Sequence, residues 1–395
     1  MMENERFASR IASMPTSIFS VMSKMAVDYN AVNLGQGFPD FDGPLWIMEE
    51  AFKAMKSGKN QYAPSIGIFS LRRTLAETYK KIYGLNWDPD REITVTAGAT
   101  EALYSTITAI VNPGDEVIMF EPFYDAHQAD VLLAGGTPVY VTLKKPDNYH
   151  DGFHFDFLEL EKKVTPKTKL LILNNPDNPT GKVFSIDELM FIARLAIKYD
   201  FLVLSDEVYE FLTFDDIKHI PIATIQGMQE RTITVSSTGK TFGMTGWKIG
   251  YAFARPEITA AINKIHQWTT FAVNTPGQHA MAYAFTQLDD YLPDFRKTYE
   301  AKRDFMLSEL KKTPFKPHVP KGSYFLMADI PSGRFTDDID TATQLVKNYG
   351  VATIPPSVFY GVADEGKTML RFCFAKTDAT LKAGMDRLKA LQSEE

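Results

Sequence analysis

The chain has 395 residues, 45% hydrophobic and 23% charged, which suits two folded domains and is too apolar for a disordered chain. Its net charge of −7 gives no electrostatic reason to expect nucleic acid or an anionic membrane surface as a partner. A single cysteine, Cys373, excludes an internal disulfide and a cysteine-based metal cluster.

The first thirty residues are broken by Glu3, Glu5, Arg6 and Arg10. No run in the chain approaches the roughly 20 apolar residues of a membrane span, so a cytoplasmic location is expected. An arm up to about Asp42 has no partner of its own and is expected to pack onto the rest. From Ile93 to Ala254, short β-branched runs alternate with amphipathic stretches. Ile93–Thr96, Val117–Phe120, Val139–Leu143, Leu170–Leu173, Leu202–Leu204, Ile233–Val235 and Ile249–Phe253 read as strands; Thr100–Val111 and Ile186–Tyr199 read as helices. The pattern predicts an α/β fold with a mostly parallel seven-stranded sheet flanked by helices. After Leu288 come a charged helix (Asp289 to Lys312), a strand (Tyr324–Ile330), a helix (Asp340–Tyr349), a strand (Met369–Phe374) and a last helix from Asp378. These predict a smaller α+β domain. The expected division is residues 1–42 as an arm belonging to the small domain, 43–287 as the large domain and 288–395 as the small one.

Ligands of open α/β sheets collect beyond the carboxyl ends of the strands, and four strand ends carry unusual residues. Thr96-Ala-Gly98-Ala99-Thr100-Glu101 enters a helix, and its small residues let free backbone N–H groups approach an anion. Asn174-Asn-Pro-Asp-Asn178-Pro-Thr-Gly181 reads as a loop of tight turns that could also present an amide to a ligand. Ser205-Asp206-Glu207-Val208-Tyr209 closes an apolar strand, so Asp206 needs a cationic partner, such as a protonated ring nitrogen, unless it merely caps a helix. Ser237-Thr-Gly-Lys240, followed by Gly246-Trp-Lys248-Ile-Gly250, places a lysine in a Gly-rich turn. A desolvated lysine there can form a Schiff base with an aldehyde, with Ser237 and Lys248 able to hold a phosphate. One phosphorylated, aldehyde-bearing, electron-withdrawing ring accounts for all four segments. Other sites fit less well. The nucleotide P-loop lacks a glycine at Thr234, Gly35-Gln-Gly37 is followed by Pro39 rather than a helix, and His150 and His154 flank the helix-breaking Asp151-Gly152 with no third metal ligand.

These motifs, with Asn33-Leu-Gly-Gln-Gly37-Phe-Pro-Asp-Phe41, Asn60-Gln-Tyr62, Glu121-Pro-Phe-Tyr124-Asp125 and Arg371-Phe-Cys-Phe-Ala-Lys376, closely resemble the class I, fold-type I pyridoxal-phosphate aminotransferases. Within them the chain resembles the kynurenine aminotransferase/glutamine transaminase K group, and most nearly the bacterial methionine aminotransferases. The resemblance implies that Lys240 bonds the cofactor aldehyde and shuttles the proton between the substrate α-carbon and cofactor C4′. It implies Asp206 on the pyridine nitrogen, Asn178 and Tyr209 on the 3′-oxygen, and Tyr124 (or Phe123) stacked on the ring. Gly98, Ala99, Thr100, Ser237 and Lys248 would hold the phosphate, and Tyr62 would reach it from a second subunit of a homodimer. Many relatives have arginine where Lys248 stands, and lysine keeps the charge without the fork. Arg371 would bind the substrate carboxylate, assisted by Gly37 and Asn178.

Phe19, Phe38 and the second subunit's Phe271 would line a pocket for apolar or aromatic side chains, though aromatics are more often core. Kynurenine-type relatives place a histidine where this chain has Ala272. The expected reaction is ping-pong transamination of a large neutral amino acid, methionine before the aromatic ones, with a 2-oxo acid acceptor. Kynurenine or glutamine transamination and cysteine-S-conjugate β-lyase activity are the alternatives on the same residues. A cofactor-binding transcription regulator would need a helix-turn-helix, for which the stretch before the matching motifs leaves no room.

Overall fold

The computed structural model describes residues 8–394 apart from 13 and 15. After β1 (Val32–Asn33), seven strands form the main sheet: β2 (Ile93–Ala97), β3 (Glu116–Glu121), β4 (Thr137–Thr142), β5 (Thr168–Asn174), β6 (Leu202–Asp206), β7 (Thr232–Ser237) and β8 (Ile249–Phe253). They lie in the order β2-β8-β7-β6-β5-β3-β4. Only β8 runs against the others, pairing antiparallel with both β2 and β7. The central strands are buried on both faces, which is why β5 and β6 read as continuous apolar runs rather than alternating ones.

Each strand expected from the sequence forms, with ends moved by a few residues. The Ile186–Tyr199 helix has the predicted bounds because both ends are marked chemically. Ser185 and Glu188 form a capping box at its start, and Asp200 takes a left-handed conformation at its end. Glu188 also accepts two bonds from the buried Lys182 ammonium, at 2.7 and 2.9 Å.

A 23-residue helix (Leu288–Leu310) leads to a second, antiparallel sheet. It contains β9 (Lys316–Pro317), β10 (Phe325–Asp329) and β12 (Met369–Cys373), in the order β12-β10-β9. The strand β11 (Val351–Ala352) pairs in parallel with β1. The Leu34 carbonyl accepts from the Cys373 N–H at 2.7 Å. These bonds tie the N-terminal arm to the C-terminal part of the chain.

The order of the main sheet brings the strand ends together. In register, Asn174 lies opposite Asp206, Asp206 opposite Val235, and Ser237 opposite Gly250.

Candidate active site

A cavity of about 320 Å³ opens at those strand ends, a volume suited to a small cofactor. It brings together Lys240, Asp206, Tyr209, Asn178, Tyr124, Gly98, Ala99, Thr100, Ser237, Lys248, Gly37, Phe19, Phe38 and Arg371. A roomier hollow, about 590 Å³, lies between Trp46, Tyr283, Tyr291 and Tyr299. Its lining among the described residues includes Asp42, Asp290 and Asp294 and no lysine, arginine or histidine, so its charge disfavours a phosphate.

Asp206 ends β6 nearly dehydrated, and its charge needs compensation. One oxygen, Oδ2, faces the Nε2 of the buried His127 at 3.0 Å, and Oδ1 accepts from the Val208 N–H at 3.3 Å. The segment after Asp206 is a turn and not a helix, so the helix-cap alternative does not apply, and Tyr209 follows on that turn. Nothing local in the sequence marks His127. It stands in the first turn of the Asp125–Leu133 helix, edge-on to the Tyr124 ring at 5.5 Å. The need of Asp206 for a partner was the available signal.

Lys240 lies in the short Thr238–Thr241 helix following β7, where the Ser237 hydroxyl accepts from the Gly239 N–H at 3.2 Å. Burial pushes its amine down to about 8. The amine donates to the Tyr324 hydroxyl at 2.8 Å and to the Gly37 carbonyl at 3.2 Å. Tyr324 is the second site residue that the sequence pattern did not single out.

Gly98 opens the Gly98–Ile110 helix at φ +74°, where a side chain is strained. A Cβ there would also stand 3.2 Å from the Lys248 Nζ. Lys248 reaches the Thr100 hydroxyl at 3.3 Å. A helix N-terminus, two hydroxyls and an ammonium therefore converge on one spot, the donor set that a phosphate requires.

Arg371 on β12 is fully buried. It donates to the Asn178 Oδ1 at 2.9 Å and to the Gly35 carbonyl at 2.8 Å, while its Nε has no hydrogen-bond partner among the described residues. Its guanidinium lies over the Phe325 ring at 4.1 Å and the Phe19 ring at 5.0 Å. Burial lowers it to about 10, so it stays charged at neutral pH with donor capacity to spare.

Tyr62 and Phe271 do not line this cavity. Their rings meet edge-on at 5.2 Å, and Tyr62 is 81% exposed. Phe271 holds a left-handed backbone, φ +68°, a rare conformation for a bulky residue. His154 forms an isolated β-bridge with Lys144, away from any cluster of three or more possible metal ligands among the described residues.

An amine of depressed basicity, a dehydrated carboxylate and a phosphate cradle at the ends of the main sheet, faced by a buried arginine from β12, are the groups that a pyridoxal-phosphate enzyme acting on amino acids requires. The chain belongs to the family "Aminotransferase class I and II", whose family model matches residues 29–388. It is 40% identical to a kynurenine–oxoglutarate transaminase of Dictyostelium discoideum, over 98% of this chain and 96% of that one. It is also 40% identical to a methionine aminotransferase of Escherichia coli, over 97% and 98%. The solved structure of N-succinyldiaminopimelate aminotransferase from Mycobacterium tuberculosis superposes with a TM-score of 0.94 at 41% identity, covering 98% of this chain and all of that one. No helix among the described residues is long and apolar enough to cross a membrane.

Proposed function

We propose that the enzyme transaminates large neutral amino acids, methionine first and the aromatic ones next, onto a 2-oxo acid by a ping-pong mechanism. Relatives named for methionine, kynurenine and N-succinyldiaminopimelate stand at nearly the same identity, so likeness alone does not choose among them. The cavity's cations favour the neutral donors. Among the described residues lining it, they are Lys240, Lys248 and Arg371. The first two face the cofactor and the third takes the α-carboxylate, which leaves none of this chain's lining cations for a second carboxylate on the substrate. Phe19, Phe38 and Phe325 supply an apolar wall instead. A panel of amino acids against several 2-oxo acids, including cysteine S-conjugates, tests this reading. The highest kcat/KM is expected with methionine, and a preference for a dicarboxylic donor would refute it.

Pyridoxal phosphate, when bound, supplies an aldehyde open to attack by an amine and a protonated ring that withdraws electrons from the substrate α-carbon. Asp206, backed by His127, would keep the proton on the ring nitrogen. Asn178 and Tyr209 would hold the 3′-oxygen, and the Tyr124 ring would cover one face. Gly98, Ala99, Thr100, Ser237 and Lys248 would hold the phosphate. Lys240 would bond the aldehyde and then carry the proton to and from the α-carbon. Borohydride reduction of the holoenzyme should attach the cofactor to Lys240, and a label on another lysine would refute the assignment.

Only the neutral amine attacks an aldehyde, and the depressed basicity of Lys240 makes it neutral above about pH 8. Apoenzyme should therefore capture pyridoxal phosphate roughly tenfold faster per pH unit below that point and at a level rate above it. Stopped-flow absorbance reads this directly, and a rate that does not change between pH 6 and 8 contradicts it.

Arg371→Ala should raise KM roughly 10- to 100-fold for all amino acids alike, the scale of a lost charge-assisted pair. A change confined to one side chain would place Arg371 elsewhere.

The arm (1–42) and residues 288–395 are read as one small domain beside residues 43–287, a division supported by the β1–β11 pair. A homodimer is the expected assembly, with Tyr62 and Phe271 of each subunit serving the other's site. Its support is the exposure of large apolar side chains, among them Leu45, Phe52, Trp268 and Tyr283 and the touching pair Tyr62 and Phe271.

A further inference from the structure

Behind the cavity, three distant segments converge on one amine. The Lys240 Nζ donates to the Tyr324 Oη at 2.8 Å and to the Gly37 carbonyl at 3.2 Å, and the Tyr324 hydroxyl donates to that same carbonyl at 2.6 Å. Gly37 belongs to the arm, Tyr324 to the turn before β10 and Lys240 to the helix after β7. A Cβ on Gly37 would fall 2.6 Å from the Phe325 ring, so the arm approaches this closely only with glycine there.

Tyr324 is 1% exposed and does not line the cavity. Its ring is packed edge-on against Tyr209 at 5.0 Å and against Phe325 at 4.9 Å, and it stacks with Tyr299 at 6.2 Å. Phenylalanine would satisfy that packing equally well. The hydroxyl is therefore explained by what it binds.

We propose that Tyr324 is a positioning residue whose hydroxyl, anchored on the Gly37 carbonyl, holds the Lys240 amine in one place whenever that amine is not bonded to the cofactor. This rests on Lys240 being the cofactor-bonding lysine. A lysine amine on a flexible four-carbon stem reaches many positions, and returning it to one is the entropic part of its reactivity. The hydroxyl oxygen also accepts an N–H bond from the ammonium, opposing the effect of burial. The other titratable groups facing the amine are Asp206, Lys248, Arg371, Cys373 and Tyr209.

The test compares wild type with Tyr324→Phe in three measurements. Borohydride labelling comes first: a label away from Lys240 overturns both the assignment of Lys240 and this proposal. With the label on Lys240, kcat should fall about tenfold while KM for amino and oxo acid moves less than about twofold, because the hydroxyl does not face the substrate. The pH midpoint for cofactor capture by apoenzyme should fall by on the order of one unit, because the ammonium loses an acceptor. An unchanged midpoint and kcat overturn the proposal and leave Lys240 standing, as does a raised KM with kcat and midpoint unmoved. If the phenylalanine variant does not fold, a fluorinated tyrosine at position 324 keeps the shape and weakens the acceptor. A downward shift of the capture midpoint then supports the proposal, and no shift overturns it.

Discussion

Replacing Lys240 with alanine should reduce transamination by about 10⁴-fold or more, since one side chain supplies both the covalent link and the proton carrier. The loss should come almost entirely in chemistry. The phosphate cradle at Gly98, Thr100, Ser237 and Lys248 does not depend on the lysine, and neither does the Asp206–His127 pair, so pyridoxal phosphate should still bind. The substitution leaves the Tyr324 hydroxyl on the Gly37 carbonyl, so folding should survive as well. Circular dichroism, equilibrium dialysis with the cofactor and single-turnover kinetics separate these effects. Activity within about tenfold of wild type would show that another group carries the proton.

Asp206→Ala should come next in severity. Without an anion beside it the ring nitrogen holds its proton less firmly, and a loss of about two to three pKa units, at about 1.4 kcal/mol each, corresponds to roughly a 10²- to 10³-fold loss of rate. His127 then faces an empty site at the end of β6. Asp206→Asn separates the two contributions, because an amide preserves shape and hydrogen bonding while lacking the charge that holds a ring proton. The amide variant should lose about as much rate as the alanine variant while recovering more of the cofactor affinity. If both substitutions left turnover near normal, the carboxylate would have no electronic role.

The chemistry at each strand end was legible locally. Apolar runs that stop at Asn174, Asp206 and Ser237 announce strands whose ends turn polar. Gly98 and Lys240 follow strands closely enough for their neighbourhood to be inferred. The two residues that complete the site left no such mark. His127 is an ordinary polar residue on a helix, and Tyr324 is one aromatic among many beside an apolar strand. Tyr62 and Phe271 show the opposite case, being recognisable by resemblance yet outside the cavity of their own chain.

Periodicity and strand-end composition determined the elements, the α/β class and the four segments that carry the chemistry, because these depend on neighbours within a few residues. The partners were decided by the fold. His127 meets Asp206 across 79 positions, Tyr324 meets Lys240 across 84, Arg371 meets Asn178 across 193 and Tyr324 meets Gly37 across 287. Contacts at such separations are created by the order of strands in the sheet and by the return of the arm onto the C-terminal part. Neither is encoded in any local pattern, since the same strands in another order would keep their sequences and lose the site.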